Sequence, residues 1–395
     1  MSQVIDLSTM RRKLLVRALL LSAIFLSLFV VWFKYRYGGP VVPFPDMTTA
    51  PPLLPSSRLE VVATLDEAPG NIAVSPDGRV FFNFHPEGRP ELKVAELVNG
   101  RPQAFPNYEF QQKRGRGKPY FDCVFSLRID RQNRLWTLDH GFHGLRQPRL
   151  MAFDLQSGAL VHQFDFPSDI AGIGSYIQDM QIDPEGKKVY IADIGAMSQK
   201  PAIIVYDVEK KRARRLLERD GSVMDKPYLI DAKGKWMVLL GGMYYLHPAI
   251  DSIGLDRKGE WLYFGAMSSD SMNRVRTRDL NDESLSADAL KDRVEHFGPK
   301  VQSDGITVDN DGNLYITDVE HGAISILGKN RQLATLLRDD RIRWPDGLSY
   351  GPDNYIYITD SDLPDIMLKS KSHIRKNAPY YIFRFKSDHA AAPGS

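Results

Sequence analysis

What is scarce in this sequence narrows the field first. There is one cysteine, Cys123, in 395 residues. That count excludes an intrachain disulfide framework and a cysteine-based zinc site. A Cys–His nucleophile stays open, beside the simpler reading of Cys123 as a small apolar residue. Excess charge of one sign is missing too. Lysines and arginines number 51 and aspartates and glutamates 49, a net charge of +2. Nucleic acid is therefore not expected as a partner, because phosphate binding needs a concentrated basic face. A local basic run, Lys113 to Lys118 (KRGRGK), reads as a solvated loop loosened by its glycines. No G-x-S-x-G nucleophile elbow, P-loop or dinucleotide-binding glycine fingerprint occurs. Helical periodicity is scarce.

Long apolar runs are absent as well, apart from Leu14 to Phe33. That run is about the length of a membrane-spanning helix. Arg17 interrupts it near one end, where it can snorkel. Arg11, Arg12 and Lys13 precede it, and Trp32 and Tyr35 sit at its far edge as interfacial aromatics do. No small-residue cleavage site follows, so an uncleaved signal anchor is expected, with the N-terminus cytoplasmic. The rest would then be extracellular or periplasmic, or secreted if the anchor is cut. Gly38 to Ser57, rich in proline, predicts a semi-extended tether. The division is 1–37 anchor, 38–57 linker and 58–395 folded domain.

The rest of the chain repeats itself. An apolar run, a turn rich in Asp, Asn, Pro and Gly, and a second apolar run recur six times. The copies are GNIAVSPDGRVFFNF, FSLRIDRQNRLWTLD, QDMQIDPEGKKVYIAD, DSIGLDRKGEWLYFG, DGITVDNDGNLYITD and DGLSYGPDNYIYITD. Alternating Val, Ile, Leu and Tyr favour strands, and the clusters between them favour tight turns. A period mostly around 40 to 55 residues is that of propeller blades, and six fits the known range. The prediction is an all-β fold, a six-bladed β-propeller behind an N-terminal transmembrane helix. After the sixth copy only Tyr380 to Phe385 reads as a strand, so Arg58 to Leu65 is expected to complete the last blade and close the ring. In the acidic fifth copy, Thr307 stands where a calcium-binding EF-hand loop needs its first Asp, so DNDG reads as a hairpin turn.

In a propeller the first strands of all blades converge on the axis. Aligned on the turns, their starting positions are Gly70, Phe125, Gln178, Asp251, Asp304 and Asp346, with Asp179 directly after Gln178. Three carboxylates and an amide oxygen meeting there would raise one another's pKa values unless a hard cation, calcium first, joined them. The competing reading is that Asp-Gly merely bonds turn backbone. A bound cation would polarise a lactone or ester carbonyl or activate water, with Asp304, Asp346 or a histidine (His140, His143, His321) moving the proton. Asn71, Asp179, Tyr244 and His321 are candidates for contacting a small-molecule ligand. His140 and His143 lie in a glycine-rich loop and read as loop packing. Asp139, Asp193, Asp318 and Asp360 each close a second strand and read as turn bonding. Residues 281–298 predict a helix, capped at Ser284 or Ser286 and stopped at Gly298, that covers one mouth of the channel together with the aromatics of GGMYYLHP.

The segments VFSLRIDRQNRLWTLDHG, YIADIGAMSQKPAIIVYD, LYFGAMSSDSMNRVRTRDL and RWPDGLSYGPDNYIYITDSD resemble the successive signatures of the Yellow/major royal jelly protein family. The resemblance runs from about Leu59 to Phe385. That family is similar in fold to the gluconolactonase, regucalcin and paraoxonase propellers, which carry a divalent metal in the channel. The resemblance implies a dopachrome-type isomerase, a lactone hydrolase, or a non-catalytic ligand-binding or interaction protein. It puts the metal-binding asparagines at Gln178 and Asp251 and the metal-binding aspartate at Asp304. The glutamate that the gluconolactonase group carries on its first blade is Gly70 here, with Asn71 beside it.

Overall fold

The computed structural model describes residues 7–113 and 118–394. The centre of the basic run KRGRGK, residues 114–117, lies outside them.

Six four-stranded antiparallel sheets form a closed ring. Their innermost strands are Pro69–Val74, Val124–Ile129, Ile177–Ile182, Ile250–Leu255, Ile306–Val308 and Pro345–Tyr350, which define blades 1 to 6. These strands are buried along almost their whole length, polar residues included. In blade 6 the order outward is Pro345–Tyr350, Tyr355–Asp360, Tyr380–Lys386 and then Glu60–Leu65. The strand from the start of the domain therefore closes the ring, as the leftover strands predict. Glu60 pairs with Arg384 and Leu65 with Tyr380.

The six starts of the inner strands define the upper end of the channel, and the Asp/Gly turns lie at the lower end. In blades 1, 2, 3, 4 and 6 a register shift falls at that upper start, between Pro69 and Ile72, Val124 and Ser126, Ile177 and Asp179, Ile250 and Ser252, and Pro345 and Leu348. Such a bulge leaves an unpaired residue and re-aims its side chain. The bulged positions include Gly70, Phe125, Gln178, Asp251 and Asp346, the residues that the repeats align. Gly347 lets two inner strands meet, since a Cβ there would come 2.8 Å from the Asn71 Cα.

The lower end is closed. Residues 390–394 cross it, with Asn310 N donating to the Ala390 carbonyl at 2.8 Å, Gly394 N to the Tyr350 carbonyl at 2.8 Å, and Ile129 N to the Gly394 carbonyl at 3.3 Å. Those three contacts fall on blades 5, 6 and 2.

The helix expected over 281–298 is mostly not there. Two five-residue helices, Thr277–Asn281 and Ala287–Lys291, are followed by Glu295–Pro299, the outer strand of blade 4. Ser286 is an N-cap, accepting from Ala289 N at 3.2 Å. Gly298 pairs with Met272 instead of ending a helix. Phe297 is drawn into the strand by burial against Tyr263, ring centres 5.0 Å apart. This insert joins the third and fourth strands of its blade, so it lies toward the lower end and does not cover the cavity.

Helix Leu7–Tyr37 is long and apolar enough to cross a membrane, and none of its apolar window is buried. The proline-rich segment after it is extended but held against the domain. Val42–Pro43 pairs in parallel with Tyr228–Leu229, and Thr49 and Thr335 exchange hydrogen bonds of 2.9 and 2.8 Å.

Candidate functional site

The upper half of the channel is a cavity of about 480 Å³. Gln178, Asp251 and Asp304 line it with Phe125, Tyr176 and Tyr244. Three blades thus contribute the polar set that the repeats align.

Asp251 is 1% exposed, and neither of its carboxylate oxygens has a hydrogen-bond partner. Burial pushes its pKa well above the carboxylate range. The charges of Asp304, Asp179 and Asp346 push the same way, and Lys300 opposes them. Asp304 is positioned from two sides: Trp344 Nε1 donates to Oδ2 at 2.7 Å and Gln178 Nε2 to Oδ1 at 3.2 Å. Burial pushes its pKa up to about 7, against the pull of the Trp344 bond. Asp346 is raised by burial and then by Asp304. His85 Nε2 lies 3.7 Å from Asp346, but burial drops His85 to about 3, so the contact is not an ion pair near neutrality.

Asn71 and Asp179 sit beneath the cavity in the buried floor. Arg128 reaches from blade 2 to donate to Asn71 Oδ1 at 2.7 Å and Asp179 Oδ2 at 2.9 Å, and Ser126 Oγ donates to Asp179 Oδ1 at 2.6 Å. This arrangement compensates Asp179 internally, which leaves Asp251, Asp304 and Asp346 as the acids without a cationic hydrogen-bond donor.

His321 does not join them. It lies in a side pocket with Asp46, its Nδ1 3.0 Å from Asp318. Its ring is held there by Asp318 and by Asp46, 3.8 Å from Nε2. His140 is buried against Phe125 and Tyr176, and its Nδ1 accepts from His143 N at 2.8 Å, which is loop packing. His143 does reach the cavity. The strand-closing aspartates hold backbone. Asp139 accepts from Asp122 N, Cys123 N and Gly141 N, and Asp193 and Asp360 bind their loops in the same way. In the DNDG turn, Asp309 accepts from Asp311 N and Asn313 N, as a hairpin turn requires. Asp309, Asp311 and His389 are, among the described residues, the one acidic or histidine trio whose ligand atoms all lie within 4.8 Å, and they belong to the lower end.

Three residues escape the repeat alignment. Trp344 aims Asp304. Glu87, on a blade 1 loop, lines the cavity and is raised by burial. Lys300 is fully buried, donates to the carbonyls of Ala266, Met267 and Ser269, and falls to about 7 through burial. All three stand on connections outside the hairpin pattern. The only sequence signal was proximity: Trp344 stands two residues before Asp346, and Lys300 four before Asp304.

The oxygen donors that Asp251, Asp304 and Gln178 bring to the cavity suit a hard cation. Asp251 offers two unpartnered oxygens, Asp304 a held carboxylate and Gln178 an amide. On the first blade, Glu87 brings an acid from a loop where the strand start offers only Gly70.

Residues 123–388 match the major royal jelly protein family. The chain is 24% identical to major royal jelly protein 9 of Apis mellifera over 250 residues, 60% of this chain and 56% of that protein. It is 27% identical to a Yellow-related salivary protein of Lutzomyia longipalpis over 178 residues, 38% of this chain and 42% of that protein. The chain thus spans about half the length of these curated relatives. Among solved structures it is similar to the calcium-binding protein regucalcin of Agrobacterium tumefaciens, with TM-score 0.55, 14% identity, 87% of this chain and 98% of that one. It is also similar to a gluconolactonase of Xanthomonas campestris, with TM-score 0.53, 12% identity, 88% of this chain and 97% of that one. Those two likenesses are of fold. With most of the propeller matched in sequence, the chain belongs to the major royal jelly protein family.

Proposed function

We propose that this chain is a membrane-anchored, extracytoplasmic propeller that handles a small molecule in its upper cavity, with a divalent cation, calcium first, held by Asp251, Asp304 and Gln178. The supporting observation is Asp251, a fully buried carboxylate with no hydrogen-bond partner, beside a second carboxylate. Burying such a charge without compensation is costly, and a cation removes the cost. When bound, the cation supplies polarisation of a lactone or ester carbonyl, or of a water. The chain's own residues do the rest. Asp304, with its pKa near neutrality, accepts or donates the proton at Oδ1, where Gln178 is its only donor, while Trp344 fixes Oδ2. Asp346 holds a second proton nearby. Tyr176, Tyr244 and Phe125 wall off the bound molecule. A lactone or ester hydrolase and a dopachrome-type isomerase both fit this arrangement.

The absence of a first-blade glutamate on the strand favours a second reading, a non-catalytic binder of a small organic cation. Asp251 and Asp304 would meet its charge and the aromatic walls its body. Calcium titration of the full chain in detergent by calorimetry, with metal analysis, tests the first reading. One ion bound per chain, lost in Asp304→Ala, supports it. No binding at millimolar calcium rejects the cation and leaves the second reading.

A further inference from the structure

The exposed large apolar side chains of the propeller are concentrated at one end. Phe142, Leu145, Ile173, Met197, Leu240 and Leu368 all stand in loops at the upper end, around the cavity mouth, and several are more than half exposed. Tyr108, Met224 and Trp236 stand on upper connections between blades, and beyond the tether the two that lie elsewhere are Val61 and Val161, on outermost strands. Among the described residues the lower turns expose none. Soluble domains scatter such residues singly, so a ring of them on one face marks an interaction surface.

The N-terminal helix ends on that same face. Tyr37 Oη donates to the Met197 carbonyl at 3.3 Å, its ring lies 6.2 Å from Tyr244, and Gln199 Nε2 donates to the Arg36 carbonyl at 3.5 Å. Arg36 and Tyr37 line the cavity mouth. No free spacer separates helix from propeller, because a Cβ on Gly38 would strike the Met243 carbonyl at 2.7 Å. At ~1.5 Å per residue, the 28-residue segment Met10–Tyr37 is about 42 Å long. A bilayer with its headgroups is about 40–45 Å thick. A helix of that length crosses the bilayer and delivers Tyr37, with the loops around it, to the headgroup layer.

We infer that the upper face of the propeller is a lipid-docking surface, which seats the cavity mouth on the bilayer interface. This rests on the helix being a retained anchor, and adds that the loop ring itself enters the interface. Leu145, Ile173 and Leu368 are the depth markers.

Spin labels at Leu145→Cys, Ile173→Cys and Leu368→Cys, one at a time, test it in the full chain reconstituted into phosphatidylcholine–phosphatidylglycerol vesicles. Lys258→Cys and Lys329→Cys, exposed in lower turns, are the aqueous controls. Cys123 reacts slowly, because burial lifts its thiol to about 12. The expected result is that the three upper labels are severalfold less accessible to a water-soluble nickel chelate than the controls, and more accessible to oxygen. Chains that float with vesicles yet show equal nickel accessibility at all five positions overturn the docking surface and leave the anchor standing. Chains that do not float with vesicles overturn the anchor, and the docking surface with it.

Discussion

The indole N–H of Trp344 donates to Asp304 Oδ2 at 2.7 Å across the boundary between blades 5 and 6. Trp344 immediately precedes the inner strand of blade 6, whose second residue is Asp346, so one short stretch both aims one site acid and supplies another. Trp344 is fully buried, and its ring is fixed by packing. Trp344→Phe keeps most of that packing and removes the donor. Losing a hydrogen bond to a charged group costs about 1.5–3 kcal/mol. Because the bond lowers the Asp304 pKa, its loss raises it. Calcium titrations across pH 6 to 8 are expected to show the midpoint of affinity moving upward in pH. An unmoved midpoint would show that Trp344 only packs.

Asp304→Ala removes a side chain whose hydrogen bonds are confined to Trp344 and Gln178. The fold is expected to survive and calcium affinity to drop by more than about tenfold, since affinity depends on ligand charge count. Calorimetry and circular dichroism on the same sample separate the two effects.

Asp251→Asn probes the pH dependence. The folded pKa of Asp251 lies above its unfolded value, so its ionised form destabilises the metal-free fold. That penalty is absent below the unfolded pKa and grows as pH rises toward the folded one. In chelator, Asp251→Asn is therefore expected to be more stable than the native chain, by a margin that widens between pH 5 and 7 at up to on the order of 1 kcal/mol per pH unit. Using a difference between chains cancels the histidines, among them His85, whose lowered pKa works in the opposite direction. With saturating calcium the order is expected to reverse. Thermal unfolding at several pH values, with and without calcium, reads both signs.

Arg128→Met leaves the Asp179 carboxylate buried without its cation. Breaking a buried pair from one side costs about 3–5 kcal/mol. Adding Asp179→Asn is expected to recover a good part of that loss in urea unfolding. Equal destabilisation in the single and double variants would mean the ion pair does not hold the floor.

The six hairpins were legible because alternation and turn chemistry are local, and ring closure because one unpartnered strand stood at each end. Gln178, Asp251, Asp304 and Asp346 were legible for the same reason: each occupies one register of a repeat, and a bulge or strand start there aims its side chain upward. Trp344, Glu87 and Lys300 lie on connections that share no register, so nothing in the spacing places them. His321 misled because the partners that hold it in a side pocket include Asp46, a long-range contact from the proline-rich segment with no local mark. The helix over 281–298 misled because Phe297 and Gly298 fit a helical end locally, while the open edge of blade 4 recruits them as a strand. The proline-rich segment reads locally as a semi-extended tether, and its pairing with Tyr228–Leu229 is a long-range contact with no local mark.

The strap of residues 390–394 across the lower opening turns the channel into a cup with a single door. Whatever leaves the site must go out the way it came in. An occupant therefore shields the site from its own competitors, and excess unlabelled ligand cannot hurry it out. A chase experiment on this protein is expected to give one release rate at every competitor concentration.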